Sequence, residues 1–129
     1  MNPGATRRTP ADLEGRRRKA EQFALAAQVV QEMADGDREL DDVYVTLCVH
    51  AGIAAADVIC MDALGEYYTG QSHDPAARLL ARVDGTDSKH LTALLGMKTK
   101  AGYSDVPVSN DQLARAKRSM DGLVDRAIR

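Results

Sequence analysis

The chain has 129 residues, enough for one domain with a real hydrophobic core and little room for two. Hydrophobic residues make up 44% and charged residues 28%, which excludes wholesale disorder, and one Phe, four Tyr and no Trp beside abundant Ala favour packed helices over a β-sandwich. A net charge of −2 excludes the global positive field of a strongly basic nucleic-acid binder, but the basic residues gather towards the two ends of the chain, and residues 21–70 carry ten acids against one Arg.

Residues 1–8 read as a disordered tail without the apolar stretch of a signal peptide, and residues 9–129 as a single helical domain. Thr9 suits an N-cap, Pro10 a first helical position, and Asp12 and Glu14 the positive end of the dipole. The first helix then carries Leu13, Phe23, Leu25, Val29, Val30 and Met33 at mostly helical spacing, and Ala34-Asp35-Gly36-Asp37 ends it. A second helix runs from Arg38 to Leu64, acidic at its start and apolar nearly all round in its middle, so it is expected at the centre of the fold. Its run of small residues, Ala51 to Ala56, allows close approach of another helix. Gly65 to Gly70 is a connector; Pro75 to Val83 is a short third helix; Asp84-Gly85-Thr86-Asp87 is a turn; and Ser88 to Lys100 is a fourth helix. Gly102 to Val108 is a loop. Ser109 and Gln112 form a capping box for a fifth helix striped by Leu113, Ala116, Met120, Leu123 and Ala127. No run alternates long enough for a strand. The fold class is all-α: an antiparallel up-and-down bundle of four to five helices.

The stretch Val43 to Leu64 is long and apolar, but His50, Asp57 and Asp62 interrupt it, so a core helix is expected rather than a membrane span. Cys48 and Cys60, twelve residues apart on one helix, are separated by about 18 Å and cannot pair. With no disulfide framework, a reducing cytoplasm is the expected location.

Common catalytic signatures are absent: no Walker A loop, GxGxxG, GxSxG, HExxH or EF-hand loop. His50, His73 and His90 are not at metal-ligand spacing, so neither a metal nor another cofactor is expected. Two groups of residues stand out instead. His50 and Asp57 share one face of the second helix and are expected as a buried polar patch, satisfied by neighbouring helices or lining a cleft against the fourth. Lys98, Lys100 and Tyr103 cluster at the end of the fourth helix, where cations suit the dipole and could also contact phosphate; Arg16 and Arg17, in the run Arg16 to Lys19, could extend that surface.

The order of these features resembles small prokaryotic HEPN (higher eukaryotes and prokaryotes nucleotide-binding) domains. The resemblance is carried by Val49-His50-Ala51-Gly52-Ile53-Ala54-Ala55-Ala56-Asp57, by Gly70-Gln71-Ser72-His73-Asp74 with Ala77, Leu79 and Leu80, by Leu94 to Tyr103, and by Val108-Ser109 with the fifth helix. It implies an antiparallel bundle that often forms homodimers, with links to RNA, toxin–antitoxin modules or phage defence. Catalytic members are metal-independent ribonucleases using R-x(4–6)-H. Here Lys98 stands at the arginine position and no His follows at that spacing, so the expectation is a non-catalytic module and homodimer. Two alternatives stand beside it. One is a divergent ribonuclease using Lys98, Tyr103 and His73 or His50. The other is a helical protein–protein adaptor, with a protein partner or antitoxin docking on the acidic stretch Asp35–Asp42.

Overall fold

The structure, a computed structural model, describes residues 5–34, 38–69 and 73–128. Along the chain these form β1 (Ala5–Arg7), α1 (Pro10–Met33), α2 (Asp41–Leu64), β2 (Glu66–Tyr68), α3 (His73–Ala81), α4 (Gly85–Tyr103) and α5 (Asn110–Ile128). The architecture is an all-α bundle with a two-stranded ribbon at one end.

Local chemistry sets the helix ends. Thr9 Oγ1 accepts from the Asp12 N–H at 3.1 Å while Asp12 Oδ2 accepts from the Thr9 N–H at 3.0 Å, a reciprocal cap that starts α1. Ser109 and Gln112 make the same exchange before α5, at 3.2 and 2.9 Å. Asp84 caps α4 by accepting from the Asp87 N–H at 2.9 Å, so the residues expected as a turn form that helix's first turn. Gly65, at φ 72°, closes α2 by donating its N–H to the Met61 carbonyl at 3.0 Å.

α2 begins at Asp41, three residues beyond the expected Arg38. Arg38 holds a left-handed backbone at φ 68°, a strained position for a residue with a Cβ. Its guanidinium is held by Asp41 Oδ2 at 2.6 Å and donates to the Val108 carbonyl at 3.2 Å. Asp42 Oδ1 accepts from the Val108 N–H at 2.9 Å, so both backbone groups of Val108 are bound at the start of α2.

Within the expected disordered tail, residues 5–8 are a correction. Ala5–Arg7 pairs antiparallel with Glu66–Tyr68, and Arg8 donates from its N–H to the Gly65 carbonyl at 2.9 Å and from Nε to Met61 O at 3.0 Å. Arg8 thus binds two carbonyls at the end of α2, that of Gly65 and that of Met61, which also accepts from Gly65. Three-residue strands are too short to show alternation, which is why neither was expected. The remainder of the expected tail, and the expected break at residues 35–37, lie outside the described residues.

Every large helix packs on α2. α1 and α4 flank it antiparallel: Arg16 lies against Asp57 and Phe23 against His50, while Leu94 lies against Gly52 and Ala101 beside Leu47. α5 approaches the small-residue face, and its contacts run in the same direction as α2: Val108 lies against Asp42, and Leu123 lies against Gly52. Ala51, Gly52, Ala54 and Ala55 are all buried. A Cβ on Gly52 would collide with Leu94 Cδ1 and stand 3.4 Å from Leu123 Cδ1, so three helices meet where one side chain is absent. α2 is long and apolar enough to cross a membrane, with a mean hydropathy of 1.8, yet 67% of that window is buried within the bundle.

Gly52→Ala should therefore lose about 1–3 kcal/mol, since Leu94 and Leu123 are fully buried and have little room to shift. Gly15→Ala, on α1 with nothing within 4 Å of an added Cβ, should gain about 0.5–1 kcal/mol from helix propensity. Urea denaturation of the two variants checks both signs; equal midpoints would mean that the three helices do not meet so closely at Gly52.

Candidate functional site

The expected pair on α2 separates into two environments. Asp57 accepts from Arg16 Nε of α1 at 2.9 Å, with only 17% of its side chain exposed. Burial pushes its carboxyl up to about 6, the nearby guanidinium opposing without prevailing. Asp57 is thus part of the α1–α2 seam rather than of a cleft against α4. His50, two turns away, is exposed, which corrects the expectation that it is buried. Its ring stacks on Phe23 of α1 with centroids 5.2 Å apart and planes 28° apart. Partial burial, and then the charge of Lys98 on α4, lower its pKa, so the imidazole is neutral at pH 7. All-round apolar character predicted burial, but α1 and α4 do not close over residue 50.

The basic candidates divide in the same way. Arg16 is committed to Asp57, Arg17 reaches Asp62 at 3.4 Å, and Arg18 reaches Glu14 at 3.8 Å. Arg16 and Arg17 therefore stitch α1 to α2, and the run Arg16 to Lys19 is no free phosphate-binding patch. Lys98 and Lys100 are half-buried and make no ion pair among the described residues, while Tyr103 is 81% exposed. Five residues of helix turn Tyr103 about 140° away from Lys98, so the two do not share one face. Beside them lies an open hollow of about 260 Å³, lined by Asp42, Val43, Thr46, Leu47, Ala101 and Gly102. Val43 and Val106 are exposed nearby. His73 opens α3, and its side chain lies outside the described residues.

Two acids of the stretch expected as a docking surface are engaged by the fold. Asp41 is buried against Arg38, and Asp42 holds Val108. Residues 35–37 lie outside the described residues.

Two features escaped the sequence. Asp87, His90, Ser119 and Arg126 tie α4 to α5: His90 Nδ1 is 3.2 Å from Ser119 Oγ, and Arg126 lies 3.7 Å from Asp87 and 3.5 Å from Asp84. The His90 ring sits against Gly122, where an added Cβ would meet it at 2.9 Å. Tyr44 and Cys48, one turn apart on α2, form a buried polar pair, and burial pushes the Cys48 thiol up to about 12. Cys60 is raised to about 12 as well, so neither thiol is poised to react. Single positions in a sequence carry no sign of the α4–α5 partners, which only the tertiary fold brings together, whereas Tyr44 and Cys48 stand at i, i+4 within α2, a spacing the sequence does offer. Among the described residues no group of three or more His, Cys, Asp or Glu could hold a metal ion.

No protein-family model matches the chain, and no curated protein matches it. The HEPN resemblance therefore rests on the order of its own motifs.

The Asp57 carboxyl binds its proton more readily in the folded chain, near 6, than at its ordinary 3.8. The folded state thus holds the extra proton across this window, and the associated stability is full below the lower value and lost as pH rises through the upper. Asp57→Asn cannot titrate. Its stability relative to the parent should rise by about 2–3 kcal/mol from roughly pH 4 to pH 7. Denaturation midpoints across this range check it, and parallel profiles for the two proteins would refute the burial of the charge.

Proposed function

We propose that the chain is a HEPN-like helical module, non-catalytic and cytoplasmic, that works as a homodimer in a nucleic-acid-linked, toxin–antitoxin or defence setting. The observation that carries this reading is the end of α4. There Lys98 and Lys100 keep their charges unpaired among the described residues, and Lys100, three residues before Tyr103, shares the face of that exposed ring. Unpaired cations next to an exposed aromatic ring suit a phosphate backbone and its bases. Non-catalytic action is supported by the scatter of the candidate groups around α4. The exposed apolar residues around the neighbouring hollow, Val43 and Val106, suit a two-fold contact. Such a contact would bring two copies of Lys98 and Lys100 together and raise the local positive potential despite the negative total.

One observation favours a second reading, a divergent metal-independent ribonuclease. Lys98 acts on His50, whose neutral imidazole is exposed to solvent, and a neutral imidazole beside a cation is a proton acceptor next to an anion site. Tyr103 and His73 would then be accessory groups.

Titration into labelled single-stranded RNA at two salt concentrations separates the readings. The module predicts salt-sensitive binding without cleavage. Lys98→Ala and Lys100→Ala should each lower the slope of log affinity against log salt by about 1. Cleavage that disappears in His50→Ala and Lys98→Ala would establish the enzyme instead. Absence of both binding and cleavage would overturn the nucleic-acid reading altogether.

A further inference from the structure

α1 and α5 run antiparallel across the bundle but touch only lightly, and between them lies a groove of about 500 Å³. Its floor is apolar: Ala24 of α1, Tyr44 of α2, and Met120 and Val124 of α5. Leu25 and Ile128 stand at its margins, 62% and 45% exposed. The apolar margin continues along α1 at helical spacing through Val29 to Met33, which is 74% exposed. This is a larger run of uncovered apolar side chains than isolated surface residues account for.

The rim is acidic. Glu21 and Glu32 line it from α1, Asp121 and Asp125 from α5. Among the described residues the one lining cation is Lys117, and Asp121 holds its ammonium at 2.7 Å. Two of the carboxylates are badly placed for helix stability. Glu32 falls in the last turn of α1 and Asp125 near the end of α5, where the dipole is negative and an acid costs about 0.3–1 kcal/mol. These acids stand against the dipole on both walls of one apolar groove, and together they give its rim a negative potential.

We propose that this groove is a docking site for a protein partner that presents an amphipathic helix with Lys or Arg flanking its apolar stripe. The apolar stripe would cover Leu25, Tyr44, Met120 and Ile128, and the flanking cations would face Glu21 and Asp125 at one end and Glu32 at the other. Helix-in-groove recognition uses anchors at i, i+3, i+4 and i+7 of the docked helix. Charge complementarity sets the sign of the partner: an acidic helix with the same apolar stripe meets like charge on both walls. The surface is separate from the Lys98–Tyr103 end of α4, so its occupancy does not depend on nucleic-acid binding.

The probe is a labelled synthetic peptide of about 14 residues, long enough to span about 20 Å as a helix, with Leu at i, i+3, i+4 and i+7 and Lys elsewhere. A second peptide carries Glu in place of every Lys. Fluorescence anisotropy with the full chain should show binding of the basic peptide alone. Reversing the rim with Glu21→Lys and Asp125→Lys should weaken it at least about tenfold and flatten its salt dependence. Both rim positions are exposed, so the doubly substituted chain should fold, with circular dichroism as the check. Leu25→Ser, also at an exposed position, provides a second variant and should weaken binding without a change in the salt slope. Equal binding of both peptides, or undiminished binding to the rim-reversed chain, would overturn the proposal. So would a chain dimer that dissociates on Ile128→Glu, because a second copy would then occupy the groove.

Discussion

The close approach at Gly52 is the constraint on which the rest of the structure depends. One absent side chain lets Leu94 of α4 and Leu123 of α5 meet α2 in the same place. In a square bundle α2 and α5 would lie across a diagonal, with α1 and α4 equally close to each other. Here the diagonal between α2 and α5 is short, and the other opens. The consequence is visible on both sides of α2. His50 is left uncovered between α1 and α4, and the groove between α1 and α5 stays open because α5 leans towards α2. Both candidate surfaces thus follow from the packing of small residues in the core.

Polar contacts then fix what the apolar core leaves free. The α4–α5 loop is long enough to swing, but Arg38 and Asp42 bind both backbone groups of Val108 and set where α5 begins. The left-handed backbone of Arg38 is tolerated because its guanidinium finds two acceptors there. At the other end, Arg8 binds the Met61 carbonyl and the β1–β2 ribbon anchors the segment that follows α2. The central helix is held at both termini by segments distant in sequence, which makes it a rigid reference for the side chains on its flanks.

The helices were legible because their signals are local. Thr9-Pro10 and Ser109 with Gln112 act within four residues, and the stripe of α5 needs no knowledge of its neighbour. What was not legible is tertiary. Asp57 was recognised as a charge needing a partner, but nothing in α2 says that Arg16 supplies it. Four consecutive cations must wrap around their helix, but the run itself does not say that Arg16, Arg17 and Arg18 are divided among Asp57, Asp62 and Glu14. The strand at residues 5–7 exists only because Gly65 turns β2 back towards it, and a sequence window sees neither half.

Charge and burial together separate structural from functional roles. Asp57, Asp41 and Asp42 are acids consumed by the fold: each is at least partly buried and bound to a donor from another turn, loop or helix. Glu32 and Asp125 are acids of the opposite kind, exposed and set against the dipoles of their own helices. The same division holds for the cations, with Arg16 and Arg38 absorbed and Lys98 and Lys100 left over. A small bundle has only a modest net stability, so groups that add nothing to it, or subtract, stand out against the rest. Two places hold such groups: the end of α4, which is positive, and the groove between α1 and α5, which is negative. Opposite signs on separate faces are suited to two dissimilar partners at once.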